Sequence, residues 1–83
     1  MSDHTYNGWA NRQTWNVALW IGNDEGLYRA ACDFMGRYHG RAPYRNFIIS
    51  MGLEDSRTPD GIGWYTDRLA YAALNEMMRE FAS

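Results

Sequence analysis

Tyr6-Asn7-Gly8-Trp9-Ala10-Asn11-Arg12-Gln13-Thr14-Trp15-Asn16-Val17-Ala18-Leu19-Trp20-Ile21-Gly22-Asn23-Asp24-Glu25-Gly26-Leu27-Tyr28 sets three tryptophans and four asparagines in one run of an 83-residue chain. An indole or a carboxamide leaves water at a cost unless its N–H and C=O groups find partners, so a stretch this rich in both must be held in one arrangement. Asn11 can accept from an amide of a first helical turn, which predicts a helix from there to Ile21, ended by Gly22. Trp15, Ala18 and Leu19 share one face at helical spacing, while Val17, Trp20 and Ile21 put apolar surface on the other. A helix apolar almost all round is the central element of a core, or it keeps one face for a partner.

Downstream, Asn23 is placed to cap a second helix, with Asp24 and Glu25 at its positive dipole end. Leu27, Ala31, Phe34, Met35 and Tyr38 carry a helical stripe to about Tyr38, and His39-Gly40 closes it. Pro43 fits the first position of a short third helix bearing Tyr44, Phe47, Ile48 and Met51, with Gly52 as C-terminal cap and Leu53 folding back onto it. Residues 54–63 form the long loop, reversed by the tight turn Thr58-Pro59-Asp60-Gly61. Ile62, Trp64 and Tyr65 read as an extended segment laid across the helices, a short strand being the alternative. Thr66 or Asp67 then caps a last helix whose apolar face is Leu69 or Ala70, Ala73, Leu74, Met77, Met78 and Phe81. The expected fold class is all-α, a compact bundle of about four short helices with a Trp-rich central first helix. Residues 6–83 make one domain and residues 1–5 a loose N-terminus.

Composition bounds the function. Hydrophobic residues at 46% and aromatics at 16% exclude a disordered tail. No apolar run nears the roughly 20 residues needed to span a bilayer. The residues after Met1 show neither a basic run nor an apolar block, so a cytoplasmic protein without membrane association is expected. A lone cysteine, Cys32, excludes an internal disulfide and a thiolate zinc site built within the chain. All eight basic residues are arginine, whose planar fork of donors favours ion pairs and interfaces. Against that, a net charge of −2 and a pI near 5.5 argue against non-specific binding to phosphates.

Asn7-Gly8-Trp9, Asn11, Thr14-Trp15-Asn16-Val17, Leu19-Trp20, Asn23-Asp24-Glu25 and Leu27-Tyr28 together resemble a group of small bacteriophage and bacterial proteins classed as a domain of unknown function. Thr58-Pro59-Asp60-Gly61-Ile62 with Trp64, and the ending Leu74-Asn75-Glu76-Met77-Met78-Arg79-Glu80, look like the second half of the same proteins. The resemblance carries no activity with it. A phage or mobile-element setting, as it implies, suits a small accessory protein that binds a host or defence component, an anti-CRISPR-like inhibitor being one form. Occurrence of the same domain within longer proteins suits a generic interaction module.

The residues themselves offer little catalytic chemistry. His4, His39 and Cys32 share no metal-ligand spacing, and helix capping accounts for Asn23-Asp24-Glu25 better than a calcium loop does, so no metal and no cofactor are expected. Cys32 has no flanking histidine and reads as a packed thiol. Glu54-Asp55 and Glu76/Glu80 occur where loops and helix surfaces normally carry charge. Arg37, Tyr38, His39, Arg41, Tyr44 and Arg45 lie within nine residues and resemble a single-strand binding patch, although dipole and core-edge roles explain them too. The expected role is non-catalytic binding of a host or defence protein complex through Trp20, Arg37, Arg41, Tyr44 and Arg45. Nucleic-acid binding through the same arginine and tyrosine patch is the alternative, and a homodimer is compatible with the surplus apolar area.

Overall fold

Asn11 opens the first helix as its side chain dictates, Oδ1 accepting from the Thr14 backbone N–H at 2.8 Å. The computed structural model describes residues 8–82. Within them run α1 (Arg12–Asn23), α2 (Glu25–Met35), α3 (Pro43–Ser50) and α4 (Tyr71–Phe81), and an isolated antiparallel bridge joins Arg57 and Gly63. The all-α bundle is therefore the fold. The loose N-terminus and His4 lie outside the described residues.

Several boundaries move, each for a local reason. α1 continues through Gly22 to Asn23, and the cap of α2 is Asp24, whose Oδ1 accepts from the Leu27 N–H at 3.0 Å. Asp24 also gives its own N–H to the Trp20 carbonyl at 2.9 Å, so one residue ends one helix and starts the next. α2 stops at Met35, earlier than the stripe suggests, because Gly36 opens a turn. Tyr38 keeps its place in the stripe by stacking on Phe34 at 5.0 Å, while its hydroxyl accepts from the Ala42 N–H and the Asn46 amide to fix the corner into α3. Gly52, at φ 71°, closes α3 in a left-handed conformation that glycine adopts without strain, and Leu53 N–H returns to the Ile48 carbonyl at 3.0 Å. α4 starts at Tyr71, several residues after Thr66 and Asp67, so neither caps it. Thr66 instead holds a short turn before it, accepting from the Arg68 N–H at 3.3 Å.

The helix expected at the centre is at the side. α1 packs on α2 and α4 but not on α3, whereas α2 and α4 each touch all three other helices. The buried face of α1 is Thr14, Val17, Ala18 and Ile21, a spacing of three, one and three, while Trp15 and Leu19 sit half-buried on its flank. The most buried indole belongs to Trp64 in the loop, 3% exposed, joined in the core by Met35, Tyr44, Phe47, Ile48, Leu74 and Met78. Two large tryptophans, Trp15 and Trp20, on a short helix exceed what its buried face can hold beside Val17 and Ile21, so the small polar residues go inside and the rings lie along the rim.

α3 begins at Ala42-Pro43 with no capping side chain of its own. Its Tyr44 N–H donates to Oδ1 of Asn75, which reaches across from α4 at 3.0 Å. Asn75→Ala should lower stability by about 1–2 kcal/mol, the usual worth of a lost N-cap, while Asn75→Asp should lose much less because it keeps the acceptor. Urea unfolding of the two variants beside the parent checks this, and equal losses would refute the capping role.

Candidate functional site

The loop between α3 and α4 is the part of the molecule that α1 is built to hold. Thr58-Pro59-Asp60-Gly61 turns as expected, with Gly61 at φ 87° and its N–H on the Thr58 carbonyl at 2.8 Å. Asn16 on α1, 1% exposed, engages both sides of this turn. Its amide donates to Asp60 Oδ2 at 2.8 Å and its carbonyl accepts from the Thr58 hydroxyl at 2.7 Å. One helical turn on, the Trp20 indole donates to the same Asp60 oxygen at 2.9 Å. At the other end of α1, Asn11 donates to the Arg68 carbonyl at 2.8 Å and the Thr14 hydroxyl accepts from the Ala70 N–H at 2.9 Å. The uncommon polar residues of the opening stretch are thus a clamp on residues 58–70.

The hydrogen bonds from Asn16 and Trp20 hold the Asp60 carboxyl below its ordinary range against the opposing effect of burial, with Arg12 adding a lesser lowering. A lowered folded-state pKa contributes stability above the unfolded value of 3.8, and that contribution is lost as pH falls below it. Thermal melts from pH 6 downward should therefore show a steeper fall below about pH 4 for the parent than for Asp60→Asn. Identical pH profiles would show that the carboxylate is not coupled to folding.

Held this way, the loop displays a strip of shallow depressions. One of about 380 Å³ lies among Gln13, Arg57, Gly63, Thr66, Asp67 and Arg68. Thr66 and Asp67 also border the next, shared with Tyr65 and Tyr71, and those two tyrosines border a third of about 120 Å³ with Ala42, Arg45 and Asn75. Tyr65 is 41% exposed and meets Tyr71 edge-on at 5.5 Å. Tyr71 is anchored by donating its hydroxyl to the Thr66 carbonyl, and partial burial, with Tyr65 alongside, pushes its pKa up to about 12. Its hydroxyl stays protonated at neutral pH and serves as a fixed donor.

The residues singled out from sequence separate. Arg45 lines the strip, and exposed Arg41 adjoins Ala42 at its edge. Arg37, in the turn after α2, pairs back with Asp33 at 2.6 Å. Trp20 is half-buried with its N–H committed to Asp60. Tyr44 is fully buried, donating its hydroxyl to the Trp64 carbonyl, so it cannot belong to a recognition surface: it shares the inward face of α3 with Phe47 and Ile48. His39 is exposed and borders a separate depression with Arg79. Cys32 is half-buried against Tyr28, whose pKa it raises by hydrogen bonding. Glu76 and Glu80 line another depression beside Trp9. Among the described residues no group of three or more His, Cys, Asp or Glu side chains converges as a metal site would require, and no helix is long and apolar enough to cross a membrane. Sequence reasoning passed over Arg57, Tyr65, Arg68 and Tyr71, although the first three flank the tight turn and Trp64.

A family model described as a family of unknown function matches residues 2–83. No curated protein and no solved structure matches the chain.

Proposed function

This chain belongs to the DUF7249 family of unknown function, and with that as premise we propose that it is a non-catalytic protein-binding module whose contact surface is the strip from Arg57 and Arg68 through Tyr65 and Tyr71 to Arg45. The observation that carries this reading is the clamp. Five side-chain hydrogen bonds from α1, made by Asn11, Thr14, Asn16 (two of them) and Trp20, are spent on holding one exposed loop in shape. A surface fixed before its partner arrives loses less conformational entropy on binding. Exposed arginine and tyrosine are also the side chains that dominate the energetics of many interfaces. The phage or mobile-element setting implied by the sequence resemblance supports a host or defence complex as the partner, inhibition as the outcome and the host cytoplasm as the place of work in this reading.

Affinity capture from the organism that encodes the chain, followed by mass spectrometry, tests the reading. The parent should retain one reproducible large assembly, and Arg45→Glu/Arg68→Glu, with an unchanged melting curve, should lose at least about tenfold of it. Capture that is empty, or indifferent to the double reversal, counts against the strip. The tyrosine pair beside arginines favours a second reading, single-strand nucleic-acid binding. Oligonucleotide binding that falls steeply between about 50 and 200 mM salt would select it.

A further inference from the structure

The distribution of charge along the strip narrows the partner further, on the premise that the strip binds protein. Two arginines elsewhere are occupied by carboxylates four residues before them, Arg29 by Glu25 and Arg37 by Asp33, each at 2.6 Å. Arg45, Arg57 and Arg68 are exposed and form no ion pair among the described residues. They stand at the two ends of the strip, Arg57 and Arg68 at one and Arg45 at the other. Between them come two tyrosines, and the strip's single carboxylate, Asp67, borders both the tyrosines and the Arg57 and Arg68 end. The depression beside Arg45, about 120 Å³ and walled by Ala42 and the two tyrosine rings, is well below the roughly 300 Å³ at which small-molecule sites begin. It has room for one side chain.

We propose that the strip takes an extended segment of a partner protein that is acidic at both ends and carries one apolar side chain between them. Its carboxylates meet Arg57 and Arg68 at one end and Arg45 at the other, and the apolar side chain enters the depression beside Tyr65 and Tyr71. Bidentate pairing with carboxylates is what the guanidinium fork does best. A nucleic-acid strand carries a charge at every step, including opposite the two tyrosines where the strip offers no cation, whereas a peptide confines its acids to the ends.

The probe is the synthetic peptide acetyl-Glu-Asp-Ser-Leu-Ser-Asp-Glu-amide, titrated into the full 15N-labelled chain at 50 mM salt. Backbone shifts should concentrate at Arg45, Arg57, Tyr65 and Arg68. Affinity should fall about tenfold in Arg45→Glu/Arg68→Glu, and comparably when serine replaces the peptide's leucine or when Gln and Asn replace its acids. Equal binding of the neutral peptide, tighter binding of an oligothymidylate of matched charge, no shifts at about 1 mM peptide, or shifts that follow protein concentration through a second copy of the chain would each overturn the proposal. If the capture experiment depends on the strip while this peptide fails, the acidic segment is wrong and the protein-binding reading stands. If both fail, the strip is not the contact surface.

Discussion

Asn16→Asp should destabilise the domain by about 3–5 kcal/mol at neutral pH, although it changes a single amide nitrogen to oxygen. Asn16 is 1% exposed, with its amide on Asp60 at 2.8 Å and its carbonyl on the Thr58 hydroxyl at 2.7 Å. The substitution keeps the acceptor for Thr58, removes the donor, and buries a carboxylate against another. Burial and like charge both raise the new group's pKa in the folded state, so its penalty is absent below the unfolded carboxyl value and grows as pH rises through neutrality. The double variant Asn16→Asp/Asp60→Asn restores an amide facing a carboxylate and should recover most of the loss. Chemical unfolding of the single and double variants at pH 7 decides the matter. A double variant no more stable than the single one would mean that the Asn16 to Asp60 bond does not hold the turn.

Phe47→Ala should cost about 3–5 kcal/mol, a large part of the roughly 5–15 kcal/mol that holds a domain of this size together. Phe47 is fully buried on α3 and packs at 5.6 Å from Phe34 of α2, with Ile48, Leu74 and Met78 in the same core. Removing the ring costs both its transfer from water and the cavity left between helices that cannot close on it. Phe47→Leu, which refills most of the space, should keep more than half the stability. Both can be read from midpoints of urea unfolding, and a small loss for the alanine variant would mean that the cavity collapses.

Element order and three of the four helix stripes were legible because hydrophobic period and capping residues act locally. Asn11, Pro43 and Gly52 each do what their chemistry prescribes within a few residues of themselves. Missing from any local pattern was the destination of the polar side chains. Asn16 and Thr58 are 42 residues apart, and Asn11 and Arg68 are 57 apart, so no window of sequence shows that the opening stretch and the turn form one device. The same limit hid the candidate site. Tyr44 and Arg45 are neighbours in sequence but the helix turns one into the core and the other outward, while Tyr65 and Tyr71 join Arg45 only through the fold. The central place given to α1 failed for a different reason, since abundance of tryptophan marks large contact area and not depth.

Asn75 seals the start of α3 from the far end of the chain, and Ala70 and Arg68 supply what Thr14 and Asn11 need at the beginning of α1. During synthesis, then, the early helices emerge from the ribosome with their polar groups still waiting for residues not yet translated. A nascent chain arrested before Asn75 lacks the side chain that caps α3. Removal of α4 should therefore leave a product that proteases clear.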